Sequence, residues 1–118
     1  MGITRVQLTI KNPSEPTKIF EGNFLVDSGA SYTVVPKQIL YELGIKPQRE
    51  ETISLADGTF IKRKVGNALY EYNGIESAAP VLFGEKDDSA LLGVLTIESM
   101  GLVLDPLQRK LYKAHLRM

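Results

Sequence analysis

The chain has 118 residues, enough for one domain over 1–118 with a modest core. Its 14 basic and 14 acidic side chains cancel, so nothing points to a nucleic-acid or anionic-membrane partner. With no cysteine and a single histidine, His115, disulfides, thiolate chemistry and a histidine or cysteine metal cluster are excluded, and no cofactor is expected.

The opening Met1-Gly2-Ile3-Thr4-Arg5-Val6 lacks a basic leader followed by an apolar run. Val6 stands where a myristoylation motif wants Ser or Thr. No apolar stretch approaches the ~18 residues of a membrane span. These features predict a soluble, cytoplasmic protein.

From Arg5 to Ile10, apolar Val6, Leu8 and Ile10 alternate with polar Arg5, Gln7 and Thr9, the period of a half-buried strand. Asn12 to Pro16 reads as a loop, and Ile19 to Val26 as a second strand interrupted at Gly22-Asn23. Tyr32 to Val35 predicts a third, short strand. Pro36 to Leu43 predicts a helix: proline suits the first turn, Ile39, Leu40 and Leu43 form a stripe, and Gly44 fits the C-terminal cap. Thr52 to Leu55 reads as a strand ending at Asp57-Gly58, a pair suited to a type I′ hairpin turn with two positive φ values. Strands are expected at Phe60 to Val65, Ala68 to Tyr72 and Ile75 to Phe83, the last two joined by Asn73-Gly74. After a polar loop from Gly84 to Ser89, Val94 to Met100 predicts a short helix closed by Gly101. Leu102 to Asp105 and Lys110 to Leu116 read as final strands. The class is all-β, a small barrel with one or two short helices.

One segment stands out chemically. Phe24-Leu25-Val26 delivers Asp27, then Ser28-Gly29 allows a sharp turn before Val34-Val35. Asp-Ser-Gly alone is ordinary turn composition. Polar turns sit among polar residues, however, and this carboxylate lies between apolar runs that would partly desolvate it. Carboxylates so placed tend to be functional.

Val26-Asp27-Ser28-Gly29-Ala30-Ser31-Tyr32-Thr33 resembles the hydrophobic-Asp-Thr/Ser-Gly-Ala signature of retropepsin-like aspartic proteases, with Thr33 at a hydroxyl position of that signature. Leu91-Leu92-Gly93 resembles the family's second element, two hydrophobics and a glycine before a short helix. The resemblance runs from about Gly22 to Asp105, and Gly101 to Pro106 looks like small bacterial and archaeal members. It implies a closed acid-protease barrel in which Asp27 is catalytic and Leu91, Leu92 and Gly93 pack against the active-site loop. Ser28, Gly29, Ala30 and Thr33 would support that loop and the dimer. Gly29 and Ser31, with Ala56, Asp57 and Gly58 of a flap hairpin, would contact a peptide substrate. Three positions depart from the pattern. The hairpin tip is poorer in glycine than viral flaps, Val94-Leu95 replaces a polar or charged pair, and Ser31 stands where viral enzymes carry a substrate-binding aspartate.

Hydrolysis by this route needs two carboxylates sharing a proton, but the motif occurs once. Asp57 suits a hairpin turn, Asp87 and Asp88 a solvated loop, and Asp105 a strand-ending turn before Pro106. A two-fold homodimer pairing Asp27 with its counterpart is therefore expected, with peptide or protein as substrate. Two other readings stay open: a fold of this type that binds peptide without cleaving it, and an unrelated β-barrel that binds a ligand or nucleic acid. Lys62-Arg63-Lys64 reads as a solvated strand edge, and His115 as a surface residue.

Overall fold

The computed structural model describes residues 4–118, so the readings of Met1 and Gly2 lie outside the described residues. The strands are β1 (Arg5–Asn12), β2 (Glu15–Val26), β3 (Thr33–Pro36), β4 (Arg49–Ser54), β5 (Phe60–Tyr72), β6 (Ile75–Gly84), β7 (Leu91–Leu92), β8 (Leu102–Asp105) and β9 (Lys110–Lys113). Two helices interrupt them, α1 (Lys37–Glu42) and α2 (Val94–Ser99). The main sheet runs β1-β2-β7-β3-β6-β5-β4, and a second pairing of β1 with β5 closes the first six of these strands into a barrel. β4 stays outside the ring, paired only with the first half of β5. No helix among the described residues is long and apolar enough to cross a membrane.

The period-two reading of β1 holds: Val6, Leu8 and Ile10 are buried while Arg5 and Gln7 are exposed. They join Phe24, Val26, Val35, Leu40, Tyr70, Val81, Phe83 and Leu92 in one core. Asn12 to Pro16 is tighter than expected, because β1 and β2 extend into it and leave only a two-residue turn at Pro13-Ser14. Asn12 makes this possible: its buried amide donates to Leu43 O at 2.8 Å and its Oδ1 accepts Ser14 N at 2.8 Å.

The first helix ends as its sequence indicated. Pro36 is its N-cap and not its first turn, and Gly44 adopts φ +79°. Gly44 N donates to Tyr41 O and Ile45 N to Leu40 O, both at 3.0 Å, the paired bonds that satisfy a helix's last carbonyls. Asn73 and Gly74 both have positive φ, at 49° and 80°, as a type I′ turn requires.

The Asp57-Gly58 turn departs from its expected type. Only Gly58 has positive φ, +88°. Gly58 N bonds Leu55 O at 3.0 Å and Leu55 N bonds Thr59 O at 2.8 Å, which defines a three-residue loop, Ala56-Asp57-Gly58. Asp57 instead folds its carboxylate onto Thr59, accepting from the hydroxyl at 2.6 Å and the backbone N–H at 3.0 Å.

Phe60 to Val65 and Ala68 to Tyr72 form one strand of 13 residues, not two. Gly66 carries β5 through the junction, where a Cβ would stand 2.8 Å from Lys46 O. The strand's first half pairs with β4 and its second half with β6, so β4 and outer β5 project from the barrel as an arm.

Candidate active site

Asp27 lies at the end of β2, and the chain returns as β3 only six residues later. The two strands do not pair. β7 lies between them, parallel to β2 through Leu25↔Leu91 and Val26↔Leu92 and antiparallel to β3 through Val34↔Leu91. The loop from Asp27 to Tyr32 is therefore pinned at its base by Leu91-Leu92 of a distant segment.

Backbone bonds fix the loop in several places. Asp27 N donates to Leu92 O at 3.0 Å, and Ala30 N donates to Asp27 O at 3.1 Å. Past Gly93, Val94 N donates to Ala30 O at 2.8 Å and Leu95 N to Ser31 O at 3.1 Å. α2 has no side-chain cap, so loop carbonyls take the N–H groups that its first turn leaves unsatisfied. Gly93 allows this approach: a Cβ there would lie 2.4 Å from Tyr32 C and 2.9 Å from Ser31 O.

A buried hydroxyl cluster lies beneath. Thr33 and Thr96 are wholly buried, with their Oγ1 atoms 2.6 Å apart. Thr33 Oγ1 also accepts Gly93 N at 3.0 Å. Each hydroxyl can donate once and accept twice, so the cluster is satisfied without water. The buried Tyr70 phenol donates to Pro80 O at 3.1 Å. Burial raises its pKa against the lowering effect of the Thr96 and Thr33 hydroxyls, so it remains a neutral donor.

The loop's outer surface differs. Asp27 is half-buried, while Ser28 and Gly29 are exposed. Asp27 Oδ1 accepts Gly29 N at 2.9 Å, which orients the carboxylate. No bond reaches Oδ2 or the Ser28 hydroxyl from the described residues.

Asp27, Ala30, Ser31, Thr33, Leu92 and Gly93 are thus bonded into one unit. Ala56, Asp57 and Gly58 stand apart, their hydrogen bonds confined to their own turn. A link between arm and loop lies at the base of β4, where Arg49 Nη2 donates to Tyr32 OH at 3.3 Å and Nε to Glu51 at 2.9 Å. A second anchor corrects two expectations. Asp88 is not a solvated loop carboxylate and Arg63 is not a solvated edge cation. Arg63 forks onto Asp88 at 2.7 and 2.9 Å, with side-chain exposures of 17% and 20%. The Arg63 guanidinium holds the Asp88 carboxyl below the usual carboxylate range. Asp57 is lowered as well, chiefly by the Thr59 hydroxyl. Asp105 accepts Leu107 N at 2.9 Å and Gln108 N at 3.1 Å, as a strand-ending turn does.

Sequence reasoning missed Thr96, Tyr70 and the two arm anchors. Thr96 carried a faint signal, a hydroxyl residue three positions after Gly93 on an otherwise apolar helix face. The anchors carried none, because they join residues distant in sequence. No group of His, Asp and Glu able to hold a metal ion occurs among the described residues.

A six-stranded ring, with an Asp-Ser-Gly loop between two strands that a third strand separates, is the retropepsin-like aspartic protease fold. The aspartyl protease family matches residues 6–95, and the chain belongs to that family. The solution structure of simian foamy virus (mac) protease shares the fold, with a TM-score of 0.55 and 22% identity over 80% of this chain and 91% of that one. No curated protein matches the chain. The family match stops one residue short of Thr96 and leaves β8 and β9 outside it.

Proposed function

We propose that the chain is an aspartic endopeptidase that works as a homodimer, with one Asp27 from each copy forming the catalytic pair. The observation that carries this reading is the position of Asp27. Its loop is bonded rigidly from beneath, while its carboxylate and the neighbouring Ser28-Gly29 face outward with bonding capacity to spare. The turn aspartates Asp57 and Asp105 each accept two local hydrogen bonds on one carboxylate oxygen, whereas Asp27 accepts one, from Gly29 N.

Across a two-fold axis the paired carboxylates share one proton. The ionised one accepts a proton from a water held between them, and the water oxygen attacks the peptide carbonyl carbon. The protonated one donates to the carbonyl oxygen, giving a neutral tetrahedral intermediate. Collapse of that intermediate breaks the C–N bond as a proton passes to the leaving amine. The Ser28 hydroxyls bond across the axis and hold the two loops together. Gly29 and Ser31 contact substrate backbone, and the Ala56-Asp57-Gly58 tip closes over it as a flap. Thr33, Leu91, Leu92 and Gly93 position the loop without touching substrate.

The test compares the chain with Asp27→Asn on mixed peptides from acidic to neutral pH. Asp27→Asn is expected to lower cleavage by about a thousandfold or more. The parent rate should fall on both sides of an optimum, because the fully protonated pair lacks a base and the fully ionised pair lacks an acid. Cleavage that survives Asp27→Asn removes Asp27 from the mechanism. Peptide binding without cleavage by the parent chain would establish the non-cleaving reading, which the absence of an acidic residue at Ser31 favours.

A further inference from the structure

We propose that a cleft beside the base of the arm binds a small polyvalent anion, a carboxylate or a phosphate. The cleft has a volume of about 480 Å³, within the range of small-molecule sites, and Asp27 does not line it. Its role is therefore independent of the catalytic pair proposed above.

Three segments form its walls. The β1–β2 turn brings Ser14 and Glu15, the end of α1 brings Gly44, and Lys46 and Gln48 lead into β4 beside Asn67 of β5. Hydrogen bonds hold these walls in place without a ligand. Asn12 joins the turn to the helix end through Ser14 N and Leu43 O, and Gln48 N donates to Val65 O at 2.8 Å. A preformed site loses little freedom on binding. The lining is mostly polar, so it suits a polar ligand and not an apolar one.

Charge selects the kind of polar ligand. Lys46 lines the cleft and has no ion pair among the described residues. Lys18 adds a second ammonium, whose Nζ lies 3.4 Å from where a Cβ of Gly44 would stand. The one acid of the lining, Glu15, is 3.7 Å from Lys18 and offsets one of the two cations. A positive charge remains, in a chain with no net charge. The arm's arginines, by contrast, are each balanced, Arg49 by Glu51 and Arg63 by Asp88.

Neutral donors surround Lys46. Asn67 Nδ2 donates to Gln48 Oε1 at 3.2 Å, which leaves Gln48 Nε2 to donate elsewhere, and Ser14 adds a hydroxyl. Carbonyls that would repel an anion are occupied. At the end of α1, Leu40 O, Tyr41 O and Leu43 O accept Ile45 N, Gly44 N and Asn12 Nδ2. Ammonium groups make short, charge-assisted bonds to carboxylate and phosphate oxygens, and amide and hydroxyl donors add to them. A ligand held by Lys46 and Asn67 at once would tie the segment entering β4 to the middle of β5.

The test uses citrate as the carboxylate probe and pyrophosphate as the phosphate probe, at matched ionic strength, with binding followed by NMR of the backbone amides. At least one probe should shift the Ser14, Gly44, Lys46 and Asn67 amides saturably, and a response to one alone shows which oxygen chemistry the cleft takes. Lys46→Gln should raise the dissociation constant about tenfold or more. Lys62→Gln removes an exposed cation of the arm outside the cleft and should change it by less than about threefold. Both lysines are exposed, so neither substitution threatens folding. Asp27→Asn should bind the probes as the parent does, whether or not the parent cleaves peptide. The site is overturned if neither probe gives saturable shifts, or if Lys46→Gln leaves binding unchanged. Equal losses from Lys46→Gln and Lys62→Gln overturn it as well, since they would mean diffuse attraction to a basic surface.

Discussion

The Asp27 loop and the β4–β5 arm are built in opposite ways. The loop is pinned from one side by β7, α2 and a pair of buried threonines, so its backbone has little freedom. The arm is paired within itself, its tip bonds only to itself, and two arginines tether its base. If Asp27 reacts as proposed, its placement needs tolerances of a fraction of an ångström, and buried hydrogen bonds supply them. The proposed flap role, admitting and enclosing a peptide, needs movement, which exposed residues with few partners outside the arm permit.

The contrast can be tested from its rigid end outward. Gly93→Ala should have the largest effect, because its methyl would overlap the Tyr32 backbone. The expected loss is about 3 kcal/mol in denaturant unfolding, with activity lost even where the protein still folds. Thr33→Val keeps the shape but strands Gly93 N and one side of the Thr96 hydroxyl. It should cost about 2 kcal/mol, and a stability equal to the parent's would remove the cluster from its anchoring role.

Asp88→Asn tests the arm's tether and should cost about 1 kcal/mol at neutral pH. Its pH dependence has a definite sign. The Asp88 carboxyl is lowered in the folded chain, so the ion pair's stabilisation is full above the ordinary carboxylate value, about 3.9, and disappears as pH falls through the folded value. Thermal melts of parent and Asp88→Asn should therefore differ at pH 7 and converge in strong acid. The smallest effect is expected for Asp57→Ala at the exposed tip, within about 0.5 kcal/mol in stability. If it also leaves peptide cleavage unchanged, the tip has no part in holding substrate.

The same contrast separates what could be read in the sequence from what could not. Strand β1 was legible because its period-two alternation matches the side of the strand that faces the core. Gly44 and Asn73-Gly74 were legible because left-handed backbone restricts residue choice. The Asp27 loop was found through composition, a carboxylate between apolar runs. The Asp57-Gly58 turn type was not, since Asp-Gly fits both a two-residue loop and the last positions of a three-residue one. β5 looked like two strands because Gly66-Asn67 resembles a break. The glycine is there because the Lys46 carbonyl lies where a side chain would be. Arg63–Asp88 and Thr33–Thr96 depend on which distant segments the barrel brings together, which no local pattern encodes.

β5 belongs to both regions at once, and this makes it a lever. Its outer half extends from Gly66 to the tip over six residues, roughly 20 Å of strand. A bend of about 10° at Gly66 would swing the Ala56-Asp57-Gly58 tip by about 3 Å at that reach. The fulcrum is stiff on one side, where Val65 O receives Gln48 N at 2.8 Å. On the other, Gly66 has no side chain of its own to move, and the Lys46 carbonyl lies against its Cα. On the proposed reading, small angular play beside the barrel wall would thus become an opening wide enough to matter to a peptide.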